Sequence, residues 1–122
     1  MSEKVKPSYT YRATVLDVLD GDTMRVRFDA GFRVFVEAPL RLLGLNTPER
    51  RSTAGVEAAT FVRVWFERNQ ELLVTTEKDP EKYGRWLGTV VSAGTGEVLN
   101  ETLIANGLAV AWDGTGSRPL RS

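Results

Sequence analysis

The sequence predicts a small, strongly bent β-barrel with helices packed on it: an α+β fold of five strands, one longer helix and one short helix. Three observations lead there. Three strand-like segments at the start are separated by tight-turn signals. A stretch with helical spacing of apolar residues follows them. Two more strand-like segments and a short capped helix come after it.

Thr10 to Leu19 is rich in β-branched, aromatic and alternating residues, which reads as the first strand. Asp20-Gly21 signals a tight turn. Thr23 to Phe28 alternates, with Met24, Val26 and Phe28 on one face and Arg25 and Arg27 on the other. Asp29-Ala30-Gly31 is a second turn. Phe32 to Leu45 reads as one long third strand, bent or bulged at Pro39, because proline has no N–H for the ladder. Pro48 biases Thr47 to an extended conformation, so that strand ends abruptly. Residues 54–69 read as the longer helix, with Thr53 as N-cap and Ala58, Phe61, Val62, Trp65 and Phe66 at helical spacing. Leu72 to Thr76 and Trp86 to Ser92 are the fourth and fifth strands, joined by the polar loop Lys78 to Gly84. The short helix spans Glu101 to Asn106. Asn100 caps it, Leu99 and Ile104 form a hydrophobic staple, and Gly107 stops it. Residues 1–8 read as a flexible lead, 9–113 as the domain and 114–122 as a flexible tail. In this order the elements suggest a barrel of the OB type.

Composition narrows the chemistry. A chain of 122 residues holds one core. Its formal net charge is zero, so polyanion binding has to come from a local patch rather than bulk charge. No apolar run is long enough for a membrane span, and the polar N-terminus lacks a signal core, so a cytoplasmic monomer with no membrane partner is the default expectation. Cysteine and histidine are both absent. Thiolate nucleophiles, imidazole bases and Cys or His metal ligands are therefore excluded. What remains is carboxylates, guanidiniums, amines, hydroxyls and a hard cation bound through oxygen.

Three groups of residues carry chemistry. Asp20-Gly21-Asp22-Thr23 is either a solvated hairpin turn or a carboxylate aimed at the barrel mouth. Arg41 stands in the apolar run Arg41-Leu42-Leu43, followed by Asn46-Thr47-Pro48-Glu49. Arg41 either snorkels to solvent or meets an anion. Asn46 to Glu49 is either a polar turn or a set of metal-ligating oxygens with a carboxylate for a water. Lys82-Tyr83-Gly84-Arg85 is either a solvated loop or a presented arginine. Taken together, two guanidiniums, two acids and neutral oxygens meet the needs of phosphodiester hydrolysis: a nucleophilic water, a Lewis acid and donors to the phosphoryl oxygens.

These three motifs, in this order, resemble the staphylococcal nuclease (thermonuclease) family over roughly residues 10–112. The resemblance implies an OB-fold barrel and calcium-dependent cleavage of DNA, RNA or both. It implies that Asp22, Asn46 and Thr47 (through its carbonyl) hold the metal, with Asp20 behind them. Glu49 would orient or activate the water, and Arg41 and Arg85 would clamp the phosphate. Lys82, Tyr83 and Trp112 would contact substrate. Asn46 stands where the family usually has an aspartate, which removes one ligand charge. The segment between Phe28 and Arg41 is longer than in the type member, and little chain follows Trp112 for a third helix. The competing expectation is a non-catalytic module of the same fold that binds nucleic acid or peptide.

Overall fold

The computed structural model describes residues 7–113. The expected tail from 114 and most of the expected N-terminal lead lie outside them. Strands β1 (Thr10–Asp20), β2 (Thr23–Asp29) and β3 (Phe35–Leu42) are followed by a two-residue β4 (Leu45–Asn46) and helix α1 (Thr53–Arg68). Then come β5 (Leu72–Lys78), β6 (Trp86–Ser92), helix α2 (Leu99–Ala105) and a two-residue β7 (Val110–Ala111). Five strands close into a barrel in the order β1-β2-β3-β6-β5, as an OB-type fold requires. All the barrel pairings are antiparallel except β3 with β6.

Alternation does the work in β2. Met24, Val26 and Phe28 are buried, while Arg25 and Arg27 are exposed. Leu40, Leu42, Val74 and Val90 fill the same interior, with Val62 of α1 and Leu99 and Leu103 of α2 closing the core. The bend expected at Pro39 is absent: its pairing with Arg25 lies in an unbroken register. Pairing with β6 starts only at Leu40, so an exposed Pro39 has no ladder partner on that side. The irregularities sit in β1 instead, between Val15 and Asp17 and between Val18 and Asp20.

The long third strand is not continuous. At its start, Gly31, Phe32 and Arg33 all have positive φ, in a loop closed by hydrogen bonds between Ala30 N and Val34 O and between Val34 N and Gly31 O. The strand therefore begins at Phe35. At its end, Gly44 turns at φ 83° and splits off β4, which pairs with β7. Two-residue strands are too short to leave a periodic signal, so this small second sheet had no trace in the sequence.

Both helix caps differ from expectation. Ser52, not Thr53, caps α1: its backbone is extended and its Oγ accepts from Gly55 N at 2.9 Å. Ser52 Oγ also donates to Glu49 O at 2.6 Å, so the turn after Pro48 delivers the chain into the helix one residue early. Asn100 does not cap α2, whose N-cap position is Val98 with no side-chain bond. Asn100 is buried. Its Oδ1 accepts from Val90 N, and its Nδ2 donates to Leu43 O and Gly88 O at 2.9–3.0 Å. Val90 lies past the end of the β3 pairing, and Asn100 satisfies the N–H that strand geometry leaves over. The staple also fails, because Leu99 enters the core and Ile104 is exposed. Gly107 stops the helix at φ 71° as expected.

Candidate functional site

The site is built at one mouth of the barrel, where β1 turns into β2 and β3 ends. Thr23 pairs with Arg41 across the ladder, and Leu42 N donates to Asp22 O at 2.8 Å, so the first two motifs meet through backbone. Gly21 sits between them for space. A Cβ there would lie 2.8 Å from Ala58 Cβ and 3.0 Å from Thr47 Cγ2. The turn thus packs flat against α1 and brings Asp22 to Thr47.

Asp22, Arg41, Asn46 and Thr47 are all buried. Asp22 Oδ2 accepts from Thr47 N at 3.2 Å and lies 3.5 Å from Arg41 Nη2. Thr23 Oγ1 donates to Asp22 Oδ1 at 3.2 Å. Arg41 Nη2 also reaches Asn46 Oδ1 at 3.2 Å and Leu45 O at 3.4 Å. One guanidinium nitrogen thus stands among three oxygens. A buried charge of this kind is tolerable because an opposite charge and acceptors surround it. Over the guanidinium lies the Trp112 ring, with its centroid 5.2 Å from Cζ. The pairing of β7 with β4, extended by Trp112 N donating to Gly44 O at 2.9 Å, holds that ring in place. Trp112 therefore belongs to the Arg41 cluster, a contact that sequence spacing does not reveal.

Asp20 stands behind Asp22, accepting from Asp22 N at 3.1 Å. Burial, reinforced by the hydrogen bond and charge of Asp22, pushes its carboxyl up from 3.8 to about 6.

Arg85 precedes β6, two residues before Leu87, which pairs with Arg41 in the parallel ladder. Its Nε donates to Asp79 Oδ2 at 2.6 Å. Burial pushes Asp79 up. The Glu81 N–H and the Arg85 guanidinium outweigh it, with help from the charge of Arg41, and the carboxyl lies below its usual value. Asp79 thus bonds Arg85 directly, while Arg41 acts on it only through its charge. The only sequence trace of it was one more acid in a polar loop.

The remaining candidates are placed differently. Glu49 is exposed in the turn before α1, its Oε2 accepting from Arg51 N at 2.9 Å. A Cβ on Gly55 would lie 1.9 Å from Glu49 O, so only glycine lets the Glu49 backbone rest on the helix. Lys82 and Tyr83 stand in solvent on the β5–β6 loop. The structure brings together Asp20, Asp22, Arg41, Asn46, Thr47 and Trp112; Arg85, held by Asp79, stands just ahead of the strand that pairs with Arg41. No contact draws Glu49, Lys82 or Tyr83 into that cluster among the described residues.

Residues 39–119 match the family model described as staphylococcal nuclease homologue. The chain belongs to this family. The matched part of this nuclease homologue holds Arg41, Asn46, Thr47, Glu49 and Arg85. Asp20 and Asp22 precede it and reach the site through the ladder described above. The chain is also similar to Protein ParB of Escherichia coli, with 34% identity over 79 residues that cover 65% of this chain and 41% of that protein. It therefore spans less than half the length of that relative. No helix among the described residues is long and apolar enough to cross a membrane.

Proposed function

We propose that this domain hydrolyses phosphodiester bonds of DNA, RNA or both, with calcium held at Asp22, Asn46 and the Thr47 carbonyl. The observation that carries the reading is the convergence of Asp22 and Asn46 on Arg41, with Thr47 N bonded to the same Asp22 oxygen. The donor chemistry fits a hard cation, because every candidate ligand is an oxygen. Asp22 Oδ2 and Asn46 Oδ1 both accept from one Arg41 nitrogen, so a cation between them would take the place that nitrogen holds. When bound, the cation would polarise a phosphoryl oxygen and neutralise charge growing on it.

The protein's own groups supply the rest. Arg41 and Arg85 present planar forks that suit phosphate oxygens. Arg41 has to give up part of its contact with Asp22 or Asn46 to do so, which couples phosphate capture to release of those oxygens. Asp79 holds Arg85 ready through a single Nε bond, leaving its terminal amino groups for phosphate. Glu49, on a fixed backbone but with an exposed side chain, aligns or deprotonates a water for in-line attack. The water oxygen bonds to phosphorus as the ester P–O bond breaks, and the leaving oxygen carries away the electron pair and takes a proton.

A second reading is a monomeric, non-catalytic module that binds nucleic acid or peptide. One observation favours it: the Arg41–Asp22 pair is already neutral, and Asn46 adds no charge. Plasmid nicking with calcium and with chelator separates the two. Calcium-dependent nicking that is lost in Glu49→Gln supports the enzyme. Binding without nicking supports the module.

A further inference from the structure

The end of the barrel opposite the Asp22–Arg41 cluster carries a knob beside a hole. The hole is an open cavity of about 630 Å³, with the buried Phe28 and Ala38 as its floor and Tyr11 and Trp86 in its walls. It opens because β6 pairs with β3 only from Leu40 onward, so the first half of β3 has no neighbour on that side. A lining of rings and aliphatic groups suits an apolar side chain, an aromatic one above all. The knob is the loop between β2 and β3. Phe32 is fully exposed there, and Val34 is half exposed. Phe32 and Arg33 have φ of 55° and 62°, a conformation that residues with a Cβ adopt only at a cost. The loop is nevertheless fixed, since Ala30 N donates to Val34 O and Val34 N to Gly31 O, both at 2.9 Å. Phe35 is covered within the chain by the Arg27 guanidinium, 4.3 Å from its ring centroid, whereas Phe32 is left bare. A fixed, strained loop that holds a bare ring in water points to a surface that something else covers.

Knob and hole adjoin, because Ala30 and Val36, on either side of the loop, both line the cavity. An isologous contact uses one self-complementary patch on both partners, and a knob next to a hole is such a patch. Charge agrees with this. Arg33 follows Phe32, Glu77 lines the cavity, and both are exposed with no ion pair among the described residues. Lys78 lies on the same wall, and Phe32 O and Arg33 O, which accept no backbone hydrogen bond among the described residues, offer it acceptors. We propose that the occupant of the cavity is a second copy of this chain. Two copies pair about a two-fold axis, each seating Phe32 in the other's barrel end, with Arg33 meeting Glu77 across the interface. The pairing departs from the monomer expected from the sequence. It leaves the Asp22–Arg41 cluster open in both copies, so it stands independently of the reading of that cluster as a phosphodiesterase.

The test is sedimentation velocity on the full chain over roughly 1 μM to 1 mM, with a melting curve for every variant. Wild type should form a dimer in that range. Phe32→Ser removes only an exposed ring, and should raise the dimer Kd roughly thirtyfold or more, while Phe32→Tyr should keep most of the affinity. Arg33→Glu and Glu77→Arg should each weaken the dimer, and the two in one chain should restore it, which a folding defect cannot do. A wild type that stays monomeric throughout overturns the proposal, and so does a dimer that survives Phe32→Ser. A paired swap that fails to restore the dimer overturns the seating of the loop beside Glu77. Flotation with anionic vesicles covers the other occupant: a monomer that binds vesicles through Phe32 would assign the loop to a lipid surface and overturn the dimer.

Discussion

Arg41 is where burial and chemistry meet. Its guanidinium is held by Asp22, Asn46, Leu45 O and the Trp112 face. Lysine keeps the charge and loses the fork, so Arg41→Lys should cut turnover roughly a hundred- to a thousandfold while the protein stays folded. Steady-state kinetics beside a melting curve checks this, and near-normal turnover would remove Arg41 from the clamp. Asn46→Asp tests the metal. The substitution adds negative charge to a cluster that is neutral between Arg41 and Asp22. Without metal the variant should be less stable than wild type, because the new carboxylate is buried beside Asp22 and shares an arginine already paired. With calcium it should gain more stability than wild type and bind more tightly, since affinity follows ligand charge. Calorimetric titration and melting in chelator and calcium measure both effects; equal calcium affinity would mean that Asn46 does not face the cation.

Among the elements, the connections decide where the site falls. Asn100 ties β6 to the turn between β3 and β4 through three hydrogen bonds, two buried and one part-buried. Asn100→Leu leaves the Val90 N–H and the Leu43 carbonyl to find new partners, while Gly88 O keeps its bond from Leu43 N, and should cost about 2–4 kcal/mol. Chemical denaturation gives that number, and a loss below about 0.5 kcal/mol would show that water replaces the side chain. Gly55→Ala should act on the site rather than on the helix. Alanine favours helix, yet its Cβ would collide with Glu49 O, so the turn has to move. The expected outcome is a fall in turnover larger than stability alone explains, with unchanged calcium affinity.

For the whole molecule, acid is the informative variable. Asp79 has a folded value below its usual 3.8, against the upward push of burial, so its bonds from Glu81 N and Arg85 together stabilise the protein above that value. The stability is lost as pH falls through the lower, folded value, because protonation then breaks the pair. Asp79→Asn should therefore be less stable than wild type at neutral pH and converge with it in acid. Denaturation midpoints across that range test the sign; a gap that widens in acid would contradict it. The variant should also bind phosphate less well at neutral pH, since Arg85 loses the group that aims it.

The barrel was legible in the sequence because its signals are local. Alternation in Met24–Phe28 and helical spacing in Ala58–Phe66 dictate which faces are buried whatever packs on them. The three polar motifs were legible as well, because an arginine among leucines and a run of oxygen-bearing residues are visible without coordinates. Contacts between distant segments were decided only by the tertiary structure. Trp112 covers Arg41 because β7 pairs with β4, and two residues carry no period. Asn100 looked like a cap because caps and buried clamps use the same side chain; the orphaned Val90 N–H chose between them. Gly21 read as a turn glycine, yet what excludes a side chain there is the nearness of Ala58 and Thr47. Local periodicity selects elements, but close approach between elements depends on the closed barrel, and that closure determines which polar residues share one mouth.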